Sequence, residues 1–195
     1  LDPKSIPKYV DALVIPPVMQ PTATGAVTEY EIAVRQFQQQ VLPTGLPQTT
    51  VWGYGRLGDP LPGSGQPSSF NYPGFTVEAR ADEKIRVNWV NQLVDDPDSA
   101  TPHYLPHLLP VDQTIHWANP GMQGIMDPKP YLGPVPIVTH LHGAHVAAGS
   151  DGNPDAWYMP AASDMPNGYI LKGETYTTAS SAPKNGEAID RKSTR

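Results

Sequence analysis

The 195 residues contain no cysteine. No disulfide can form within the chain, and no thiolate can serve as nucleophile or metal ligand. Charge is also scarce. Asp, Glu, Lys and Arg make up 16% of the residues, too few to coat the exposed faces of a helical protein. The 13 Lys and Arg against 19 Asp and Glu give a net charge of −6 and form no basic run. The electrostatic footprint of a nucleic-acid binder is therefore missing. No apolar stretch approaches the ~20 residues of a membrane helix. The Asn-x-Ser/Thr glycosylation acceptor does not occur, and neither an internal repeat nor an amphipathic helical pattern is visible.

Proline and glycine are abundant instead, at 24 and 17 residues, together more than a fifth of the chain. Proline interrupts helix interiors and central strands alike. That composition favours short strands joined by long, stiff loops, the grammar of an all-β sandwich or barrel. The length suits one well-buried domain with tails.

Along the chain, residues 1–25 are Pro-rich with apolar patches and read as an extended N-terminal arm. A folded domain is expected over 26–162. Tyr30, Ile32 and Val34 alternate with Glu29, Glu31 and Arg35, the period-2 signature of a half-buried strand. Val51 to Tyr54 is a short aromatic segment, and 57–74 is a Gly/Pro/Ser loop. Phe75, Val77 and Ala79 predict one strand. Ile85, Val87 and Trp89 predict the next, with a turn at Ala81–Lys84 between them. Pro134 to Leu141, rich in Val and Ile, predicts another. Residues 163–195 lose apolar content and read as a flexible loop or tail. The polar end, Asp190 to Arg195, suits proteolytic nicking.

The chemistry is concentrated in Val138-Thr139-His140-Leu141-His142-Gly143. On a strand, residues i and i+2 share a face, so His140 and His142 project side by side, roughly 7 Å apart along the backbone. That spacing is wide for chelating one ion on a fixed backbone and suits two neighbouring metals of a cluster. Imidazole is a good ligand for copper, zinc and iron. Gly143 permits a sharp turn beside the pair. A bare His-x-His can equally be two exposed or packed histidines, so the flanking residues decide. They are Ser150-Asp151-Gly152-Asn153-Pro154-Asp155-Ala156-Trp157.

Together these segments resemble the first copper motif of the multicopper oxidases, most closely the branch of spore-coat laccase, bilirubin oxidase and phenoxazinone synthase. Asp155 stands where that motif has Glu. Upstream, Pro73-Gly74-Phe75-Thr76-Val77 and Asn91-Gln92-Leu93 resemble further segments of the branch, with Phe75 in place of the usual Pro. Thr50 to Tyr54, Leu109 to His116 and Tyr9 to Pro16 extend the likeness over about residues 8–160, in order.

The resemblance implies a Greek-key cupredoxin-like β-sandwich, with His140 on the type 2 copper and His142 on one type 3 copper of a trinuclear cluster. Asp151 corresponds to the acidic residue that assists proton delivery there; in isolation it would read as a turn residue. His103, His107, His116 and His145 read as packing, loop or surface residues, and Trp52, Trp89 and Trp157 as packing residues. A type 1 copper site needs Cys and must lie elsewhere, as must the remaining cluster ligands. The expectation is a laccase-like oxidase working with its C-terminal remainder as a separate chain after cleavage. It would act on dioxygen and a reducing small molecule, outside the cell, in the periplasm or on a spore or cell surface. The rival readings are a non-catalytic metal-binding module and a purely structural β-sandwich.

Overall fold

The computed structural model describes residues 2–111 and 133–176 and the backbone of 191–193. The chain is all-β, as expected for a cupredoxin-like sandwich. Among the described residues the named elements are strands and short 3-10 turns, and these strands form one mixed sheet.

The alternation at the start of the domain becomes β1, Thr28–Gln39. A turn then reverses the chain. There Leu46 N–H bonds Pro43 C=O at 3.0 Å and the Gln40 side-chain amide donates to the carbonyls of Leu42, Pro43 and Leu46. β2, Thr49–Arg56, pairs antiparallel with β1 from Ile32↔Arg56 to Gln39↔Thr49. β3, Ile85–Asn91, lies parallel to β1 on its other side, with Thr28 opposite Ile85 and Val34 opposite Asn91. Glu29 and Arg86 form an ion pair across this seam. β4, Arg191–Ser193, adds parallel to β3, giving the order β2-β1-β3-β4. The polar end of the chain therefore carries a short strand where the sequence suggested a flexible tail.

Both faces of β1 are covered. Tyr30 and Ile32 pack with Met19, and Val34 packs with Leu93 and Val135. On the opposite face Ala33 and Phe37 pack with Val51, Phe70 and Val90. Arg35 belongs to this second face and is buried, although the alternation marks it as a solvent position. Its Nε donates to Gln92 Oε1 at 2.8 Å, and its guanidinium lies 5.0 Å from the Phe70 ring centre. Burial lowers the Arg35 pKa, while Asp98, Asp96 and Asp59 pull it back up.

Two expected strands are not continuous ladders. Phe75–Ala79 makes a single bridge, Thr76 to Val18, in which Met19 N–H bonds Thr76 C=O and Thr76 N–H bonds Pro17 C=O. Its alternation is real, but the arm at 17–19 is the partner that reaches it. Pro134–Leu141 is likewise reduced to isolated bridges, Pro134 to Pro106 and Ile137 to Tyr158. Pro134 and Pro136 have no N–H to donate, so Ile137 is the first residue beyond them that can exchange a pair of hydrogen bonds.

Candidate metal centre

Ile137 sets the position of the two histidines. Its N–H bonds Tyr158 C=O at 3.1 Å and its C=O accepts from Tyr158 N–H at 3.0 Å. Tyr158 is fully buried and bridges on to Lys172. Asn91, at the end of β3, locks this arrangement to the sheet. It is fully buried, and its amide donates to Val135 C=O at 2.9 Å and Tyr158 C=O at 3.2 Å. Its side-chain oxygen accepts from Leu93 N–H at 3.2 Å. One side chain thus ties β3 to both segments beneath the histidines.

Beyond Ile137 the chain rises to the surface. Thr139 is buried, its hydroxyl 3.4 Å from that of Tyr158. His140 is partly covered, while Leu141 and His142 are exposed. A turn follows at once, with Ala144 N–H bonding Leu141 C=O at 3.3 Å and Gly143 at φ +79°. Positive φ at the third position is what a type II turn demands, and glycine meets it without a Cβ penalty. The two imidazoles are neighbours, ring centres 5.5 Å apart and planes inclined at 64°. The expected side-by-side placement is therefore present, although His140 and His142 stand on a strand end and turn, with no continuous strand beneath them.

The loop carrying Asp151 returns to the same place. Residues Ala148–Ser150 form a 3-10 turn that ends on Asp151, which is exposed. The next residue, Gly152, has φ +70° and lies directly against the His140 ring. His140 and the Asp151 loop are thus brought together, a contact that sequence spacing alone does not reveal.

The other described histidines have different surroundings. His103 Nδ1 lies 3.0 Å from Asp95 Oδ2, and its backbone N–H donates to Asp95 Oδ1 at 2.8 Å. The backbone bond first and the imidazole second lower the Asp95 pKa. His107 is half-buried against Trp52, ring centres 6.0 Å apart, and desolvation pushes its pKa down. His145 sits exposed in the loop beyond the turn. Trp157 is buried and Trp89 packs edge-on against Tyr54. His116 lies outside the described residues.

Among the described residues no group of three or more His, Cys, Asp or Glu side chains could hold a metal by itself. The His140–His142 pair fits copper as a donor set of two imidazoles, adjacent and reachable from solvent. It fits only as part of a ligand set completed from elsewhere.

Comparison with known proteins gives a consistent result. No protein-family profile matches the chain. Curated relatives do. The chain is 32% identical over 155 residues to the laccase of Bacillus subtilis, 79% of this chain and 24% of that protein. It is 35% identical over 166 residues to the laccase of Haloferax volcanii, 83% of this chain and 24% of that protein. A rice protein named multicopper oxidase LPR1 homolog 3 is 33% identical over 155 residues, 80% of this chain and 22% of that protein. The chain thus spans about a quarter of the length of the curated relatives it matches. With a paired His-x-His turn on an all-β frame and these relatives over four-fifths of its length, the chain is a member of the multicopper oxidase family.

Proposed function

We propose that this chain is the part of a laccase-like oxidase that supplies His140 to the type 2 copper and His142 to a type 3 copper of the trinuclear cluster. The observation that carries the reading is the pairing of two imidazoles, 5.5 Å apart, with no third donor beside them among the described residues. A pair of this kind needs ligands from another part of the protein. Bound copper would supply the redox chemistry, coupling one-electron oxidation of a phenolic or similar donor to four-electron reduction of dioxygen to water. His140 and His142 would each offer a neutral ring nitrogen as ligand. Reducing dioxygen consumes protons. Asp151, exposed at the start of the loop that packs on His140, would relay protons there. The type 1 copper and the other cluster ligands would come from the C-terminal remainder, present as a separate chain, and the assembly would work outside the cytoplasm.

The test is a native mass with copper quantification on the purified protein and on its His140→Ala and His142→Ala variants. The expected result is a complex heavier than 21.1 kDa that holds copper and loses cluster copper and dioxygen consumption in both variants. Copper content unchanged by both substitutions would sink the reading and leave a structural sandwich. Copper bound through the pair without dioxygen consumption would leave a metal-binding module.

A further inference from the structure

We propose that Gly152 is a positioning residue that sets the plane of the His140 imidazole. Its importance for a metal rests on the reading of His140 as a copper ligand, but the contact itself does not. A Cβ placed on Gly152 would lie 2.8 Å from His140 Cε1, 3.0 Å from Nδ1 and 3.2 Å from Nε2. A point in the ring plane beyond Cε1 would be much nearer to that carbon than to either nitrogen. Three nearly equal distances put it over the face of the ring. The Gly152 main chain therefore lies over one face of the imidazole, away from the in-plane directions in which the nitrogens bond.

Gly152 is held where it is. Ser150, which is buried, donates its N–H to Ala147 C=O at 2.8 Å, and Asp151 N–H reaches Ala148 C=O at 3.4 Å. On the other side Ala156 N–H bonds Asn153 C=O at 2.9 Å, and Asp155 N–H bonds Asn153 Oδ1 at 2.9 Å. The loop is braced on both flanks of residue 152, whereas the His140 ring is the far end of a rotatable side chain. A methyl group at 152 would move the ring, not the loop. Because a nitrogen lone pair lies in the imidazole plane, turning the ring redirects the bond it can make to a metal. Residues that orient a ligand in this way affect metal affinity without touching the metal.

Gly152→Ala also places a Cβ at positive φ, which strains any non-glycine residue. Gly63→Ala supplies the control, since Gly63 has φ +86° and nothing within 4 Å of its would-be Cβ. Two readouts on the metal-free chain decide the inference. In the first, Gly152→Ala shifts the His140 Cε1–Hε1 NMR resonance while Gly63→Ala does not. In the second, Gly152→Ala lowers the melting temperature less in a His140→Ala background than in the parent, because the ring it strikes is gone. An unmoved resonance, or equal melting losses in both backgrounds, would overturn the role of Gly152. In the copper-loaded protein, Gly152→Ala is expected to weaken binding by about 10- to 100-fold and to alter the nitrogen hyperfine pattern of the copper spectrum. Copper binding that survives His140→Ala would refute the ligand reading and leave the two metal-free results to judge Gly152 alone.

Discussion

Asn91 does more than its size suggests. Three main-chain groups from three segments meet its amide, and two of those segments carry the histidine turn. Replacing it by leucine keeps the shape and strips the buried Leu93 N–H and Val135 C=O of this partner. Asn91→Leu should cost about 1–3 kcal/mol, the penalty for unmet buried polar groups, read as a lower denaturation midpoint at unchanged slope. His107 makes the residue scale sensitive to pH. Its folded pKa lies below the ordinary 6.5 because burial disfavours the charged ring. The unfolded chain then binds the extra proton, so this residue costs nothing above the ordinary value. Stability falls as pH drops from there toward the folded pKa. In His107→Leu the slope of stability against pH in that window should flatten; a slope identical to the parent's would assign the effect to another group. Little of this was legible beforehand. His140 and His142 stood out by type and spacing, and Asp151 only through the resemblance of its flanking residues, whereas the roles of Asn91 and Gly152 arise from contacts between segments far apart in sequence.

Among the elements, β1 and β3 announced themselves because Tyr30, Ile32, Val34 and Ile85, Val87, Trp89 alternate cleanly. β2 was only partly visible, since Gly53 and Gly55 occupy positions where a strand pattern expects apolar side chains. The structure explains both as close approach. A Cβ on Gly53 would meet the Phe37 ring and the backbone oxygen of Asn71, each at 2.6 Å. The backbone oxygen cannot rotate away, so Gly53→Ala should destabilise by about 1–3 kcal/mol, in the range for overpacked cores, and lower the thermal midpoint. Alternation misleads at Phe75–Ala79, as β-branched composition does at Pro134–Leu141, where Pro134 and Pro136 lack the N–H a ladder needs. Alternation reports which way side chains point, and it is silent on whether a neighbour with free N–H and C=O groups lies alongside. The parallel pairing of β1 with β3 was equally hidden, because no local residue pattern encodes a crossover.

For the whole molecule, the composition pointed to the right class: few charges and many prolines do build a β protein with long connections. The N-terminal arm divides sharply. Tyr9, Leu13, Val14 and Ile15 are exposed, while Met19, four residues on, is buried beside Tyr30 and Ile32. Deleting residues 1–16 should leave the unfolding free energy of this chain within about 0.5 kcal/mol of the parent, as for surface changes. Met19→Ala should cost about 2–5 kcal/mol, as for other buried large-to-small changes. Chemical denaturation of the two variants side by side checks both, and a large loss on deletion would mean that the arm packs more firmly than its exposure indicates.

The strand order also has a consequence in time. β3 is flanked by β1, from well before it in the chain, and by β4, from far beyond it. Neither seam can close through a tight hairpin, and the long excursion bearing the histidine turn departs from β3 and comes back to it. Chains whose pairings are so distant along the backbone collapse easily but organise slowly. The antiparallel β1–β2 pair can assemble early from local contacts, whereas the β3–β4 seam must wait for the last described stretch of polypeptide. A newly made molecule would thus hold a formed hairpin well before Asn91 has met Val135 and Tyr158 beneath the two imidazoles.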